Sequence, residues 1–393
     1  MSDLNRGDEP SPTADLPAMK ALPSPVDSAH AVSLTPGTEV PIASESFDNQ
    51  MTSSLLLAPR ATLRDVAALA GVSFKTVSRV VNNEVGVSLI LTERVRSAVT
   101  KLGYRPDDRA RRLRTPQLRT NIIGFILVDV ANPFFSSILR GIEDVARKRD
   151  CLVLSGSTDG DPERWAQLVS AFVSRRVDGL IVVPNDENLG PLEHEIRRRT
   201  PLVFVDRDAP AQSGVDSVRS DHYRGSFLAT KHLIEAGHRD IAFFGSPFTI
   251  SSARQRFGGF RDAMVSEGLS VPDNRVQTGT KTPEEWRLLV ADFLEQPSRP
   301  TALFTAQNFA TLGALQALHA SGLQNTIAQV GFDDVELGAF LTPGLTVVPQ
   351  SPLDIGRRAT EILFDRIDGA THPPVYEVLK TALIERGSGE IRP

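Results

Sequence analysis

The chain of 393 residues has one cysteine, Cys151, so no disulfide can form within it and no cysteine-based zinc site can be assembled. That usage suits a reducing compartment, and a cytoplasmic protein is expected. No apolar run approaches the ~18 residues that a membrane-spanning helix needs, so no membrane partner is expected. The opening residues, Met1 to Pro10, lack the basic start and apolar stretch of a secretory signal. Histidines show no metal-ligand spacing: His232 and His238 flank a glycine, Gly237, that reads as a helix stop. There is no His-Glu-x-x-His, no Gly-x-x-x-x-Gly-Lys-Ser/Thr and no Gly-x-Ser-x-Gly. The nearest approach, Gly156-Ser-Thr-Asp-Gly160, has threonine at its centre. Without nucleophile, phosphate or metal motifs, neither an enzyme nor a bound cofactor or metal is expected.

Basic residues are nearly missing from the first part of the chain. Over 1–59 only Arg6 and Lys20 face Asp3, Asp8, Glu9, Asp15, Asp27, Glu39, Glu45 and Asp48. Residues 1–58 are rich in Pro, Ser and acids, cannot bury enough apolar surface to offset chain entropy, and are expected to be disordered. From 60 to 119 the sign reverses. Thirteen basic residues there, from Arg60 to Arg119, outnumber Asp65, Glu84, Glu93, Asp107 and Asp108. A basic module on a mildly acidic remainder is the electrostatic footprint of a nucleic-acid-binding head.

Within that module, Ala61 to Asn82 spells two short helices around a Gly71-Val-Ser73 turn, the layout of a helix-turn-helix. Thr62 caps the first helix with Asp65 closing a reciprocal box. Val66, Ala67, Leu69 and Ala70 form its apolar face, and Gly71 supplies the left-handed residue that ends it. Ser73 caps the second helix, with Val77, Val80 and Val81 inward at helical spacing. Phe74, Lys75, Ser78, Arg79 and Asn82 are left outward, where such motifs meet base edges; Thr62, Ser73 and Thr76 complete the expected DNA-facing set. A third helix starts at a cap on Ser88 or Thr92, shows Val95, Val99 and Leu102 to the core, and stops at Gly103.

Residues 61 to 384 resemble the lactose-repressor/galactose-repressor family of bacterial transcription regulators. The resemblance rests on Asp65-Val-Ala67, Gly71-Val-Ser73, Thr76-Val-Ser-Arg-Val-Val-Asn82, Leu102-Gly-Tyr-Arg-Pro106, Asn132-Pro-Phe-Phe135, Arg176-Val-Asp-Gly-Leu-Ile181, Gly237-His-Arg239 and Val330-Gly-Phe-Asp-Asp334, in that order. Family chains begin close to the first helix, which makes Met51 a candidate start. Where the family has polar residues after the Ser88 position, Leu89-Ile-Leu91 stands here and either extends the head's core or adds a contact with the body. The family's hinge helix folds only on DNA and wedges a leucine into the minor groove. Ala110 and Leu113 match those positions, and Asp107 replaces the usual asparagine. The resemblance therefore implies a head over 59–105, a hinge over 106–119 and a two-lobed effector-binding and dimerisation body over 120–393.

After Thr120 apolar strands alternate with amphipathic helices. The strands expected are Ile122–Val128, Cys151–Ser155 (a buried one), Gly179–Val183, Leu202–Val205, Ile241–Gly245, Ala302–Thr305 and Gln329–Gly331. Such alternation implies parallel sheets covered on both faces, and the length suits two doubly wound lobes of periplasmic-binding-protein type with ligand at the strand ends. The fold class expected is thus a small all-α head on an α/β body. Strand-end residues nominated for the effector are Asp129, Asn132, Phe134, Phe135, Asp206 and Asp333. The resemblance implies that Asp206 and Asp333 bond ligand hydroxyls and that Arg256 is the ligand arginine; Gln307-Asn308 stands where the family commonly has Asn-Asp, and Gln350 matches a further polar position near the pocket. Phe134 and Phe135 either offer flat faces to a sugar ring or plug the lobe. The turn Thr278-Gly-Thr-Lys281 lacks the family's frequent aromatic, for which Phe309 compensates. Two acceptors and one forked donor in Asp206, Arg256 and Asp333 suit a neutral sugar, while an anion would meet repulsion unless Lys281 turns inward.

These readings converge on a sequence-specific repressor, a homodimer on a pseudo-palindromic operator, controlled by a small sugar between its lobes. The rivals are a sugar-binding transport or chemotaxis protein and a sugar-modifying α/β enzyme. The basic head argues against the first, and the absent catalytic motifs against the second. No heptad tail follows Gly387, so a leucine-zipper tetramer is not expected.

Overall fold

The computed structural model describes residues 61–82, 84–104, 119–185, 189–209 and 213–393. The chain divides into two compact units, one holding the head and the other the body. The expected N-terminal tail and the hinge positions Ala110 and Leu113 lie outside the described residues.

In the head, α1 (Leu63–Ala70), α2 (Phe74–Val81) and α3 (Leu89–Leu102) pack around Val66, Ala70, Val77, Val80, Val95 and Ala98. Thr62 and Asp65 form the reciprocal box at the start of α1, and Gly71 ends that helix at φ 63°. Ser73 accepts from Thr76 N at the start of α2, and Ser88 rather than Thr92 caps α3. Two assigned core positions are corrected. Leu69 is 52% exposed and Leu102 is 37% exposed. Each lies at the edge of its helix's apolar stripe, and Ala98, one turn before Leu102, fills the inward place. Leu89 and Ile90 are exposed too, so they do not extend the head's core.

The body elements run β1 (Ile122–Leu127), α4 (Pro133–Ala146), β2 (Leu152–Ser157), α5 (Pro162–Ser174), β3 (Gly179–Val182), α6 (Gly190–Arg197), β4 (Leu202–Val205) and β5 (Asp216–Ser220). The second lobe follows with α7 (His222–Glu235), β6 (Ile241–Gly245), α8 (Ser251–Ser266), β7 (Val276–Thr278), α9 (Pro283–Glu295), β8 (Ala302–Thr305), α10 (Asn308–Ala320), β9 (Ala328–Phe332) and β10 (Thr346–Val348). The chain then returns to the first lobe with α11 (Pro352–Ile367) and β11 (Tyr376–Leu379). The two sheets are parallel throughout, ordered β11-β5-β4-β3-β1-β2 and β10-β9-β8-β6-β7. Near-continuous apolar runs in β1, β3, β4, β6 and β8 are buried, as strands covered on both faces must be.

The strand near Cys151 departs from expectation. It begins at Leu152, not Cys151, and lies at a sheet edge, where Leu152 is 72% exposed. Cys151 itself is buried, and burial pushes its thiol up to about 11, so it stays protonated. Four strands were not anticipated: β5, β7, β10 and β11. Two are only three residues long, β11 alternates at an edge, and β5 carries the buried Asp216. Its carboxylate accepts from Arg366 Nε and Nη2, each at 2.8 Å, and from the backbone of Val375. That pairing with the returning C-terminal segment is what makes a charged strand tolerable in a core.

Candidate ligand cleft and DNA-facing helix

In each sheet the strand order reverses beside a central strand: between β1 and β3 in one lobe, between β6 and β8 in the other. Loops leaving neighbouring strands there diverge and open a crevice. Around it the body forms a cleft of about 580 Å³. All ten nominated residues border it: Asp129, Asn132, Phe134, Phe135, Asp206, Arg256, Gln307, Asn308, Asp333 and Gln350. Phe309 and Lys281 border it as well.

Arg256 is the centre of its charge pattern. The side chain leaves α8 at 7% exposure, donates from Nη1 to the Ala306 carbonyl at 2.8 Å, and lies 4.0 Å over the Phe332 ring. Asp206 and Asp333 supply the opposing charges, and burial, the larger effect, lowers the arginine's pKa against them. Burial likewise raises Asp333 above its usual range, opposed by Arg256, by Gln350 Nε2 at 2.6 Å and by the Asn308 backbone. Asp206 and Asp333 both adopt positive φ, 70° and 74°, directly after β4 and β9. Non-glycine residues in that region are costly and cluster where a side chain must be aimed.

Gln350 spends its amide N–H on Asp333, and its Oε1 has no protein partner among the described residues. Asn132 and Asn308 exchange amide contacts across the mouth, with Asn308 Nδ2 donating to Asn132 Oδ1 at 2.7 Å. Phe134 and Phe135 meet edge-to-face at 5.2 Å; they belong to the lobe's core and also border the cleft. Lys281 Nζ sits 5.8 Å from the Trp286 ring. Asp334, beside Asp333, is tied to Arg386 at 2.7 Å, and Arg254 donates to the Phe248 and Thr249 carbonyls.

Asp159, Asp161, Trp165, Asn185, Arg207, Ser246 and Ser252 line the cleft without having been singled out. For Asp159, Asn185 and Ser246 the strand-end rule that found Asp206 applies equally. Trp165 faces the cleft from a helix and carries no such signal.

Two buried histidines give the body a pH signature. His222 and His238 are both fully buried. Burial lowers His222 well below 6.5, reinforced by Arg256, and lowers His238 too, against its bond to the Ile391 carbonyl. Unfolded, both titrate near 6.5. Below that value the unfolded chain therefore binds more protons. Stability is complete above 6.5 and falls as pH drops, by at most about 1.4 kcal/mol per pH unit for each histidine. Urea midpoints should hold steady from about pH 8 to 7 and decline toward pH 5, less steeply in His238→Gln. A flat profile would contradict neutral burial.

On the head, α2 presents Phe74 (43% exposed), Lys75 and Asn82 to solvent, with Thr76 and Ser78 half-buried. Thr62 and Ser73 are exposed caps. Arg79 is already engaged: its Nη2 donates to the Val85 carbonyl, and its Nε lies 3.5 Å from Glu84.

Residues 62–107 match the model for bacterial regulatory proteins of the lacI family, and residues 120–381 match that for periplasmic binding proteins and the sugar binding domain of the LacI family. The chain belongs to the LacI family. It is a DNA-binding transcriptional repressor of that family. The ribose operon repressor of Escherichia coli K12 is 36% identical over 331 residues, 84% of this chain and 99% of that protein. The HTH-type transcriptional repressor PurR of Haemophilus influenzae is 34% identical over 310 residues, 78% of this chain and 91% of that protein. Among solved structures, the lac repressor dimer bound to operator and the anti-inducer ONPF matches with TM-score 0.73 at 28% identity, covering 84% of this chain and 99% of that one. A transcriptional regulator CelR–cellobiose complex matches with TM-score 0.62 at 30% identity, over 84% and 100%. These LacI-family relatives are repressors and regulators rather than enzymes, and among the described residues no helix is long and apolar enough to cross a membrane.

Proposed function

We propose that this LacI-family repressor is controlled by a neutral sugar, of the aldopentose class, held between its lobes by the ten cleft residues. The observation that carries the reading is Arg256, flanked by Asp206 and Asp333, with Gln350 among the cleft residues and its carbonyl without a partner among the described residues. Acceptors of hydroxyl protons thus surround the Arg256 fork, the second guanidinium, Arg207, is engaged by Asp206 and the Pro184 carbonyl, and carboxylates outnumber cations along the wall even with Lys281 present. Such a wall repels an anion and satisfies a desolvated polyol. The 36% identity to a ribose operon repressor supports the pentose assignment.

In the same reading the head occupies 59–105, a hinge with Ala110 and Leu113 occupies 106–119, and two chains place their α2 helices in successive major grooves of a pseudo-palindromic operator. That work belongs in the cytoplasm, where operator DNA is. Calorimetry on the full chain with D-ribose, other neutral sugars, sugar phosphates and purines tests the effector, alongside release of promoter DNA from its own locus. Binding by a neutral aldopentose is the expected result. Binding only by a phosphorylated ligand, retained in Asp206→Ala, would overturn it.

The reading helix carries its own prediction. Lys75→Ala should change which operator variants bind best, by roughly 1–3 kcal/mol at one base pair. Uniform weakening across all variants would assign Lys75 to phosphate alone. Arg79, held by Val85 and Glu84, must exchange those partners to reach DNA, so its substitution should matter less.

A further inference from the structure

Behind the cleft wall, and not bordering it, His222 opens α7 just after the chain crosses from the first lobe at β5. Its ring is fully buried and touches a polar group from each lobe. Nε2 lies 2.9 Å from the Asp206 carbonyl oxygen, and Nδ1 lies 3.3 Å from Arg256 Nε. An arginine Nε–H can only donate, so Nδ1 accepts; a carbonyl can only accept, so Nε2–H donates. The two partners leave one tautomer. The Phe332 ring, 6.0 Å from the imidazole, also lies 4.0 Å beneath the Arg256 guanidinium, so histidine, arginine and phenylalanine form one packed unit.

We propose that His222 is the positioning residue of the effector cleft, fixing the Arg256 fork and tying it to the Asp206 turn of the opposite lobe without touching the ligand. The inference rests on the cleft being the effector site. Among the described residues His222 is the hydrogen-bond partner of Arg256 Nε; Nη1 goes to the Ala306 carbonyl, and Asp206 and Asp333 supply the negative charges that act on the guanidinium. Without the imidazole acceptor the fork is free to swing about its last torsions, and a swing of a few tenths of an ångström degrades a bidentate contact. On the Asp206 side, the Nε2–H bond holds the carbonyl of a residue whose φ is 70°, so the same ring stabilises the strained turn that aims the carboxylate. The groups acting on the ring are Arg256 from α8, Arg219 from β5 and the Asp206 carbonyl after β4, while the Asp206 and Asp333 carboxylates act on Arg256. Burial and the two cations keep a proton off Nδ1.

Two full-length variants separate positioning from mere filling. His222→Gln retains an acceptor and a donor; His222→Leu retains volume and neither. With D-ribose as the calorimetric probe, Leu should weaken binding by about 10- to 100-fold and Gln by no more than about 3-fold. In an Arg256→Lys background, which lacks the Nε–H, His222→Leu should add less than about 2-fold. Equal losses in both backgrounds, or no rescue by glutamine, would overturn the proposal. Nitrogen-15 NMR of the ring needs no sugar: a bare Nδ1 and protonated Nε2 are expected from about pH 5.5 to 8, with the Nδ1 signal shifted in Arg256→Lys. A doubly protonated ring or the opposite tautomer would overturn it also. If D-ribose fails to bind the unaltered chain, the pentose reading falls, and the ring measurements still decide whether His222 holds Arg256.

Discussion

Arg256→Met is expected to leave a repressor that holds its operator and no longer answers its effector. Methionine fills much of the arginine's volume over Phe332 but supplies no donor, and two carboxylates then face the cleft without their shared cation. Loss of the central, desolvated anchor should weaken effector binding by at least about 100-fold, the range seen for buried charged hot spots. Folding should suffer as well, by about 3 kcal/mol at neutral pH, because one partner of a buried charge set has gone. The sign of the pH effect is fixed. Asp333 is already raised by burial, and losing Arg256 removes an influence that lowers it. A carboxyl whose folded pKa lies above its unfolded value adds stability at low pH and loses it as pH rises, so the variant's deficit should shrink on acidification. Effector titrations of operator release, with urea unfolding at two pH values, check both parts. Release at the unaltered protein's effector concentration would show that Arg256 is not the anchor.

The second large effect concerns a helix crossing. Gly356 on α11 faces α4 so closely that a Cβ would stand 2.2 Å from the Ile138 carbonyl oxygen; reciprocally, a Cβ on Gly141 would stand 2.2 Å from that of Leu353. Backbone lies against backbone, and backbone cannot rotate away as a side chain can. Gly356→Ala should therefore destabilise the body by about 3 kcal/mol or more, at or beyond the usual upper end for overpacking. The control is the same substitution in another helix. At Gly258 on α8, a new Cβ would meet only the Tyr223 ring, at 3.6 Å, an ordinary contact. Gly258→Ala should stabilise by about 0.5–1 kcal/mol through helix propensity. Opposite signs in urea midpoints are expected. A neutral or stabilising Gly356→Ala would mean that the α4–α11 crossing is looser than described.

The same crossing shows where reading the chain alone stops. Caps and turn residues act over three or four positions, so Thr62, Asp65, Gly71 and Ser73 could be read from the residues, and Ser88 as one of two candidate caps that the fold then decided. Continuous apolar runs marked β1, β3, β4, β6 and β8, because a strand buried on both faces has no polar side to show. The strand-end rule and the family resemblance together nominated residues that all border one cleft. Position within an apolar stripe was less legible: Leu69 and Leu102 carry the right spacing but lie at its margin, which only the packing partner defines.

What tertiary structure alone decided is long-range. That α11 and β11 return to the first lobe depends on Gly356 against Ile138 and on Arg366 against Asp216, partners separated by more than two hundred and by 150 positions respectively. No local pattern encodes such a pairing. The edge position of β2, which leaves Leu152 in solvent, follows from strand order rather than from residue type. His222 is the clearest case. In the sequence it is a histidine after an aspartate at a helix start; in the fold it joins an arginine 34 residues ahead to a carbonyl 16 residues behind, and that geometry alone fixes its tautomer. Local chemistry determined the modules, and the crossings between lobes decided which side chains meet at the cleft.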